Sequence, residues 1–228
     1  MPAAPTVARD GSVAVVDLGD ASLEALVDAL SGLPSDVRAL LLRLTGTGGD
    51  QATGPTGSRD ALGAVEDLPL PTVALLGARC TGLALDLALC CDVRVAPTDV
   101  VVAAAAPAAG TLPAGGTVAR LVRATGQGVA RDMLITGRPV AAAQALAWGL
   151  VTRLSPTAET DALDLARTLA ALSPEALAAT KRLALGASED SYADGLAAEL
   201  ALWRTVREGA NAQEGLSAFA DKREPRFT

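Results

Sequence analysis

Short apolar runs typical of buried strands alternate with helix-like segments in the first half of the chain, and this alternation restricts the possible folds most. Strand-like runs occur at 13–18, 37–46, 71–77 and, in two short pieces about a turn, 93–106. Helical patterns follow at 21–34 and 83–92, and the chain is helical almost throughout from residue 117. Such alternation is typical of a parallel-type sheet packed between helices. We therefore predict an α/β fold with a C-terminal helical layer.

Composition sets the kind of core and excludes one class of partner. Half of the 228 residues are apolar but only 2% are aromatic, so the core must consist mainly of Ala, Leu and Val. The net charge of -7 argues against nucleic acid as a partner. The N-terminal segment lacks the pattern of a secretory signal, and no apolar run approaches the length of a membrane span. We therefore predict a cytoplasmic protein without a membrane span.

The sequence contains no histidine, and this excludes several catalytic arrangements. Triads that need an imidazole are impossible, and a metal site of the usual zinc type is not expected. The three cysteines, Cys80, Cys90 and Cys91, are an odd number in apolar surroundings, which favours reduced, buried thiols. Proton transfer must therefore involve Asp, Glu, Tyr, Lys, a thiol or water.

A glycine-rich segment at 45–60 can be compared with nucleotide-binding loops. It departs from the dinucleotide fingerprint because Gln51 stands where the third glycine should be. It also departs from the phosphate-binding loop because Pro55 stands in place of the lysine. A plain connection and a binding loop of another kind both remain open.

Asp86 lies among leucines in a helical pattern directly after Gly82. An aspartate in a helix is usually solvated or caps a helix end. A carboxyl group in apolar surroundings can instead exchange protons near neutral pH, as a general acid or base does. Asp86 is therefore a candidate catalytic residue.

Longer stretches resemble a known family. The segments PTVALLGARCTGLALDLALCCDVRVA, MLITGRP, AAAQALAWGLV and GLSAFADKREPRF occur in the order found in the enoyl-CoA hydratase/isomerase, or crotonase, family. The resemblance runs from about residue 12 to 228. It implies a spiral of ββα turns over 1–160 and a C-terminal helical trimerisation region over 161–228, with subunits associating as trimers or hexamers.

The resemblance also implies an oxyanion hole, in which two backbone N–H groups polarise the carbonyl of an acyl-CoA thioester. One donor matches Leu83, in the triplet that begins with Gly82. In an ungapped register the second donor follows Gly54 and falls on Pro55, which has no N–H. A register with a shortened loop places it on Gly49 instead, and both registers stay open.

Hydration in this family uses two carboxylates. Asp86 stands in place of the first, a glutamate, and its arm is one methylene shorter. The position of the second falls on Ala105 and Ala106, which carry no acid. The resemblance therefore predicts a site that retains one acidic group of the two.

For coenzyme A binding, the resemblance points to Gly54, Pro55 and Gly82 at the pocket and to Lys222 in the terminal KREPRF segment for the phosphates. No counterpart of the family's N-terminal nucleotide-holding loop is found, and 57–71 is too short for the usual pocket-covering helix. The thioester is the substrate or ligand, and no further cofactor is implied.

These features predict an acyl-CoA-binding protein of the hydratase/isomerase type with weak or altered activity, a lyase or isomerase of fatty acid metabolism if it is active. The alternative is a non-catalytic acyl-CoA binder or a structural partner of an active paralogue. The sequence leaves open whether the protein is an enzyme.

Overall fold

The computed structural model describes residues 3–45, 58–104, 107, 110–113 and 115–228. Within them the strands are β1 (Thr6–Asp10), β2 (Val13–Asp17), β3 (Ala39–Leu44), β4 (Thr72–Leu76), β5 (Arg79–Cys80), β6 (Val93–Ala96), β7 (Val101–Val102), β8 (Val140–Ala141) and β9 (Arg153–Leu154). The helices are α1 (Leu23–Ser31), α2 (Ser58–Glu66), α3 (Gly82–Cys90), α4 (Thr117–Thr125), α5 (Gln127–Thr136), α6 (Ala142–Ala147), α7 (Ala158–Ala170), α8 (Pro174–Gly186), α9 (Tyr192–Glu208) and α10 (Ala210–Asp221).

Two sheets organise these elements. The larger sheet has the strand order β1-β2-β3-β4-β6-β9, and all its neighbours are parallel except β1 and β2. The smaller sheet has the order β5-β7-β8. The predicted α/β fold with a helical C-terminal layer is thereby confirmed.

Small side chains pack one face of the large sheet. Four alanines at a spacing of four residues line the inner face of α7 and are buried against valines and leucines of β2, β3, β4 and β6. A stripe of alanines lets a helix approach a sheet closely. The other face carries the larger part of the core, which includes α1, α2 and α3. The predicted reliance on Ala, Leu and Val is confirmed.

The predicted strands at 13–18, 37–46 and 71–77 are confirmed as β2, β3 and β4. Sequence analysis missed β1, whose side chains are mostly exposed and lack an apolar pattern. It also expected no pocket-covering helix of the usual length in 57–71, and the structure places the nine-residue α2 there. The division into 1–160 and 161–228 stays a prediction, and α7 spans it.

Arg94 is a partly buried cation just after the end of α3. Its Nη1 donates to the carbonyls of Ala88 (3.5 Å) and Cys91 (2.9 Å), and its Nε donates to the carbonyl of Leu150 (2.9 Å), which follows α6. Helix C-termini leave carbonyls without intrahelical partners and attract positive charge. The Arg94 guanidinium therefore stabilises the C-terminal end of α3 and joins it to the segment that follows α6.

The last residues of the chain lie against the start of β3. Arg38 donates to the carbonyls of Phe227 and Leu172, each at 2.7 Å. Asn211, which is buried, donates to the Thr228 carbonyl and accepts from the Thr228 N–H, each at 2.9 Å. We call these contacts the tail clamp.

The C-terminal helices are much less buried than α3. The residues of α8 and α9 include no buried side chain. On α9, Leu196, Leu200 and Trp203 follow helical spacing and are each about half exposed. We call these three residues the α9 stripe. No helix in the described part of the chain combines the length and apolar character needed to cross a membrane.

Candidate active site at the start of α3

The site is built on α3, a helix that is buried on all sides. Its residues from Leu83 to Cys90 are all buried because α3 lies beneath β4 and between α2 and α4. Asp86 belongs to this buried run and is only 4% exposed. A carboxyl group in such a position requires polar partners, since burial without them is costly.

The first turn of α3 presents backbone donors. The Thr81 carbonyl accepts from the N–H groups of Ala84 (3.2 Å) and Leu85 (3.4 Å). The Leu83 N–H comes earlier in the turn, where a helix supplies no acceptor of its own. Gly82 has φ +52°, a left-handed backbone conformation that side chains disfavour. The arrangement therefore offers the Leu83 N–H to an external oxygen at the positive end of the helix.

Asp86 is held by the neighbouring helix. The Thr117 hydroxyl, at the first position of α4, donates a hydrogen bond to Asp86 Oδ1. Thr117 is itself 2% exposed, so the contact is shielded from water. Hydrogen bonds to an ionised acceptor are stronger than neutral ones, and shielding strengthens them further.

An ion pair lies behind this contact. Glu66 Oε2 accepts from Arg120 Nε at 3.0 Å and from Nη2 at 2.7 Å, and Arg120 Nη1 donates to the Gly115 carbonyl at 2.7 Å. Burial lowers the pKa of Arg120, but the hydrogen bonds to Glu66 and the charges nearby, including Asp86, outweigh it and the pKa is raised overall. The guanidinium therefore stays charged between α2 and the loop before α4.

This ion pair also borders open space. Glu66, Arg120 and Gly116 line a groove of about 670 Å³ between α2 and α4. Asp60, Asp67 and the Arg123–Glu189 ion pair complete its charged rim. The groove brings solvent to the outer side of the Glu66–Arg120 pair.

The three cysteines have the predicted burial and contain free thiols. Burial raises the pKa of the Cys80 thiol to about 12, and the negative charge of Asp86 contributes in the same direction. Burial likewise raises the pKa of Cys91 to about 12, with a further contribution from Asp92, and raises that of Cys90. These thiols are therefore protonated, apolar core groups at neutral pH.

The structure brings together three of the predicted site residues. Gly82, Leu83 and Asp86 lie within the first turns of one helix. Lys222 lies at the exposed end of α10 with φ +54°, and α10 packs on α9. The remaining predictions, at Gly49, Gly54, Pro55, Ala105 and Ala106, fall outside the described residues.

Sequence reasoning missed Thr117, Arg120 and Glu66. Thr117 is the last residue of an AGGT segment at 114–117, and Arg120 follows it by three positions. Their roles depend on contacts between α2, α3 and α4 that no local pattern reveals. Within the residues that the structure describes, no group of three or more acidic or cysteine side chains could hold a metal ion.

Comparisons with known proteins bear on the family of the chain. Residues 41–228 match the family model of enoyl-CoA hydratase/isomerase. A protein of Mycobacterium tuberculosis named a probable enoyl-CoA hydratase is 34% identical over 160 residues, which cover 69% of this chain and 62% of that protein. The human mitochondrial methylglutaconyl-CoA hydratase is 33% identical over 175 residues, which cover 74% and 52%. The chain thus spans between half and two thirds of these relatives.

Solved structures show the same fold over nearly the whole chain. A crystal structure of an enoyl-CoA hydratase from Polaromonas has a TM-score of 0.90 at 24% identity and covers 99% of this chain and 100% of that one. An enoyl-CoA hydratase from Mycobacterium smegmatis has a TM-score of 0.86 at 25% identity, with 98% of each chain covered. The predicted crotonase-type fold is confirmed.

Proposed function

Because the chain belongs to the enoyl-CoA hydratase/isomerase family, we propose that it binds an acyl-CoA thioester at the first turn of α3 and transfers protons with one carboxylate. The observation that carries this proposal is the Leu83 N–H at the helix start, with Asp86 three residues further along the same helix. The N–H donates to the thioester carbonyl oxygen, and the helix dipole adds to its effect.

The proton transfer follows from these two groups. The Asp86 carboxylate removes a proton from a carbon activated by the thioester, and the electron pair of the broken C–H bond moves toward the carbonyl oxygen as an enolate. The Leu83 N–H stabilises the negative charge on that oxygen. Returning the proton to a different carbon moves the double bond, so one carboxylate suffices for isomerisation.

Hydration requires more acidic groups in the site than isomerisation does. It requires a water molecule to be deprotonated and a carbon to be protonated, and the family uses two carboxylates for this. Ala106 stands at the second position and cannot transfer a proton. Loss of a general acid or base typically reduces the rate by about 10² to 10⁴. We therefore propose that crotonyl-CoA hydration is absent or very slow.

The second oxyanion donor and the phosphate contact complete the proposed binding mode. Gly49 and Pro55 represent the two open registers for the second donor, and only Gly49 has an N–H to offer. Lys222 supplies a positive charge for the coenzyme A phosphates, and its exposed position at the end of α10 supports this role. Cytoplasmic location and a place in fatty acid metabolism stay predictions.

A non-catalytic acyl-CoA binder is the second candidate. The burial of Asp86 and its hydrogen bond from Thr117 favour it, because both features also suit a structural carboxylate that joins α3 to α4. In that case the thioester would still bind at Leu83, and the chain would act as a binder or as a structural partner of an active paralogue. Turnover of a panel of enoyl-CoAs separates the two candidates.

Assembly into a homotrimer or a dimer of trimers is part of the proposal. The α9 stripe, together with Leu216 and Phe219 on α10, leaves apolar side chains exposed at one end of the chain. Exposed apolar surface of this kind marks protein contacts. A Leu200→Glu/Trp203→Glu variant should dissociate the assembly in light scattering, whereas Ile135→Glu, an exposed control on α5, should not. Monomeric wild-type protein at micromolar concentration would contradict the proposal.

Binding is tested by comparing two substitutions on α3. Leu83→Pro removes the N–H donor, and we expect acyl-CoA affinity to fall about 10- to 150-fold, the worth of one hydrogen bond to a polarised oxygen. Asp86→Ala removes a group that does not contact the carbonyl and should leave affinity within a few fold. Calorimetric titration of both variants, after circular dichroism has shown that each is folded, gives the answer. Equal affinity of wild type and folded Leu83→Pro would refute binding at Leu83.

A further inference from the structure

The contact between Asp86 and Thr117 has a defined direction. A threonine hydroxyl carries one proton, and a carboxylate only accepts, so the hydrogen bond from Thr117 Oγ1 to Asp86 Oδ1 favours the ionised form of Asp86. Both side chains are at least 96% buried, so water does not readily replace the Thr117 hydroxyl when a substitution removes it. The ionisation of Asp86 therefore depends on Thr117 more than it would at the surface.

The contact also fixes the orientation of Asp86. The aspartate side chain has two rotatable bonds, and anchoring Oδ1 to α4 restricts both of them. A displacement of about 1 Å at a reacting group can cost on the order of a hundredfold in rate. An anchored carboxylate thus presents its second oxygen in one direction.

Arg120 and Glu66 hold the turn that carries Thr117. The Arg120 guanidinium lies over Gly116, where an added Cβ would come within 2.7 Å of Nη1, and Gly116 itself has φ +90°. Arg120 donates to the Gly115 carbonyl while Glu66 anchors its other nitrogens. The backbone before Thr117 is therefore fixed by a partly buried ion pair and not by α4 alone.

We propose that Thr117 is a positioning residue for Asp86, which it orients and keeps ionised as the proton acceptor, and that the Arg120–Glu66 pair fixes the turn from which Thr117 acts. This inference rests on the proposed function for its catalytic consequence. Its structural part, the dependence of Asp86 on Thr117, holds without any ligand.

Three charged or titratable groups, on α3 itself and on the elements packed against it, interact electrostatically with Asp86. Arg120 on α4 favours the ionised form of Asp86, and part of its positive charge is offset by its ion pair with Glu66 on α2. Cys80 on β5 and Cys90 on α3 interact electrostatically with Asp86 and are protonated near neutral pH. Thr117 is neutral, so its removal changes no charge near Asp86.

The first experiment follows the Asp86 carboxyl carbon by NMR in the ligand-free protein as a function of pH. Protein labelled with ¹³C at aspartate carboxyl groups is compared with Thr117→Val and Thr117→Ser, and Asp86→Asn identifies the signal. We expect the protonation midpoint of Asp86 to rise by about one pH unit or more in Thr117→Val and to stay near wild type in Thr117→Ser. Thr125→Val, on the same helix, is the matched control and should have no effect. An unchanged midpoint in folded Thr117→Val overturns the proposal.

The second experiment measures exchange of thioester C–H protons for deuterium in D₂O, next to acyl-CoA binding by calorimetry. Thr117→Val should lose about tenfold to a hundredfold in exchange rate at saturation while affinity stays within a few fold, and Thr117→Ser should recover most of the loss. Two results would overturn the role of Asp86 as proton acceptor. One is an exchange rate in Thr117→Val equal to that of wild type, and the other is a wild-type protein that binds acyl-CoA but shows no exchange. Wild type that binds no acyl-CoA contradicts the proposed function alone, and the carboxyl titration then decides the role of Thr117 by itself.

Discussion

Helices α3 and α9 are both rich in alanine and leucine, but their surroundings differ completely. In α3 the leucines point to all sides, and every residue from Leu83 onward is buried. In α9 the apolar residues form a stripe, and no side chain is buried. A helix that is apolar all round requires a core, whereas a helix with a single stripe requires one partner surface. The arrangement of apolar residues, and not their number, therefore decides which helix organises the site and which one remains at the surface.

The largest expected effect comes from one substitution made in both helices. Leu87→Ala on α3 removes a fully buried side chain and should lower the free energy of unfolding by about 3 kcal/mol. Leu200→Ala on α9 removes a side chain that is 48% exposed and should cost less than about 1 kcal/mol in the separated chain. Urea unfolding over a range of protein concentrations measures both.

This pair of variants can also contradict the difference in burial between α3 and α9. A cost for Leu200→Ala that equals that of Leu87→Ala at every concentration would mean that α9 is buried within the single chain. A cost that appears only at high concentration would sharpen the comparison, because the partner surface of α9 would then belong to another subunit.

A smaller effect is expected where α3 ends. Arg94→Met removes the donors to the carbonyls of Ala88, Cys91 and Leu150 and should cost about 2 to 3 kcal/mol. Arg123→Met, which breaks an exposed ion pair with Glu189, is the control and should cost less than about 1 kcal/mol. Chemical unfolding of both variants gives the difference, and equal costs would show that burial of Arg94 adds nothing.

The buried thiols near α3 should make the stability of the fold decrease with rising pH in the alkaline range. Burial raises the pKa of Cys80 and Cys91 from 9.0 to about 12, so the folded state retains protons that the unfolded state releases. Their contribution is complete below about pH 9 and is lost as pH rises toward 12. Raising the pH from 8 to 10 should therefore lower the free energy of unfolding by about 1.4 kcal/mol for each of these two thiols. Unfolding of Cys80→Ala across this range should show a shallower loss than wild type, and parallel curves would contradict the assignment.

The smallest predicted effect concerns the start of α8, which has no buried residue to stabilise it. The Ser173 hydroxyl accepts from the Ala176 N–H at 3.4 Å and precedes Pro174. Ser173→Ala should lower stability by about 1 kcal/mol, and Ser173→Asp should retain the cap. Thermal unfolding compares the two variants. If both lose the same amount, the cap contributes nothing to α8.

Local patterns predicted much of this fold, and the reason is visible in particular elements. Strands β2 to β4 are short apolar runs, and the cap of α8 is signalled by Ser173 and Pro174, which are adjacent in sequence. Asp86 was singled out by its apolar surroundings, and Gly82 and Leu83 by the family resemblance; the three lie within five consecutive positions. Strand β1 was missed because it is an exposed strand at the edge of the large sheet, next to β2.

The parts of the site that were missed depend on distant contacts. Thr117 is separated from Asp86 by 31 positions, and Arg120 is separated from Glu66 by 54. Neither pairing leaves a periodic pattern in the sequence, because each is created by the packing of one helix on another. A threonine after a glycine pair carries no local sign that it meets a carboxylate.

The tail clamp has a consequence for the kinetics of folding. Arg38 and Phe227 are 189 positions apart, so their hydrogen bond closes a loop of most of the chain. The entropy of such a closure favours contacts that form after the sheet has assembled. Interactions absent from the folding transition state slow unfolding and leave the folding rate unchanged. The tail clamp therefore slows unfolding and prolongs the lifetime of the folded state without accelerating folding.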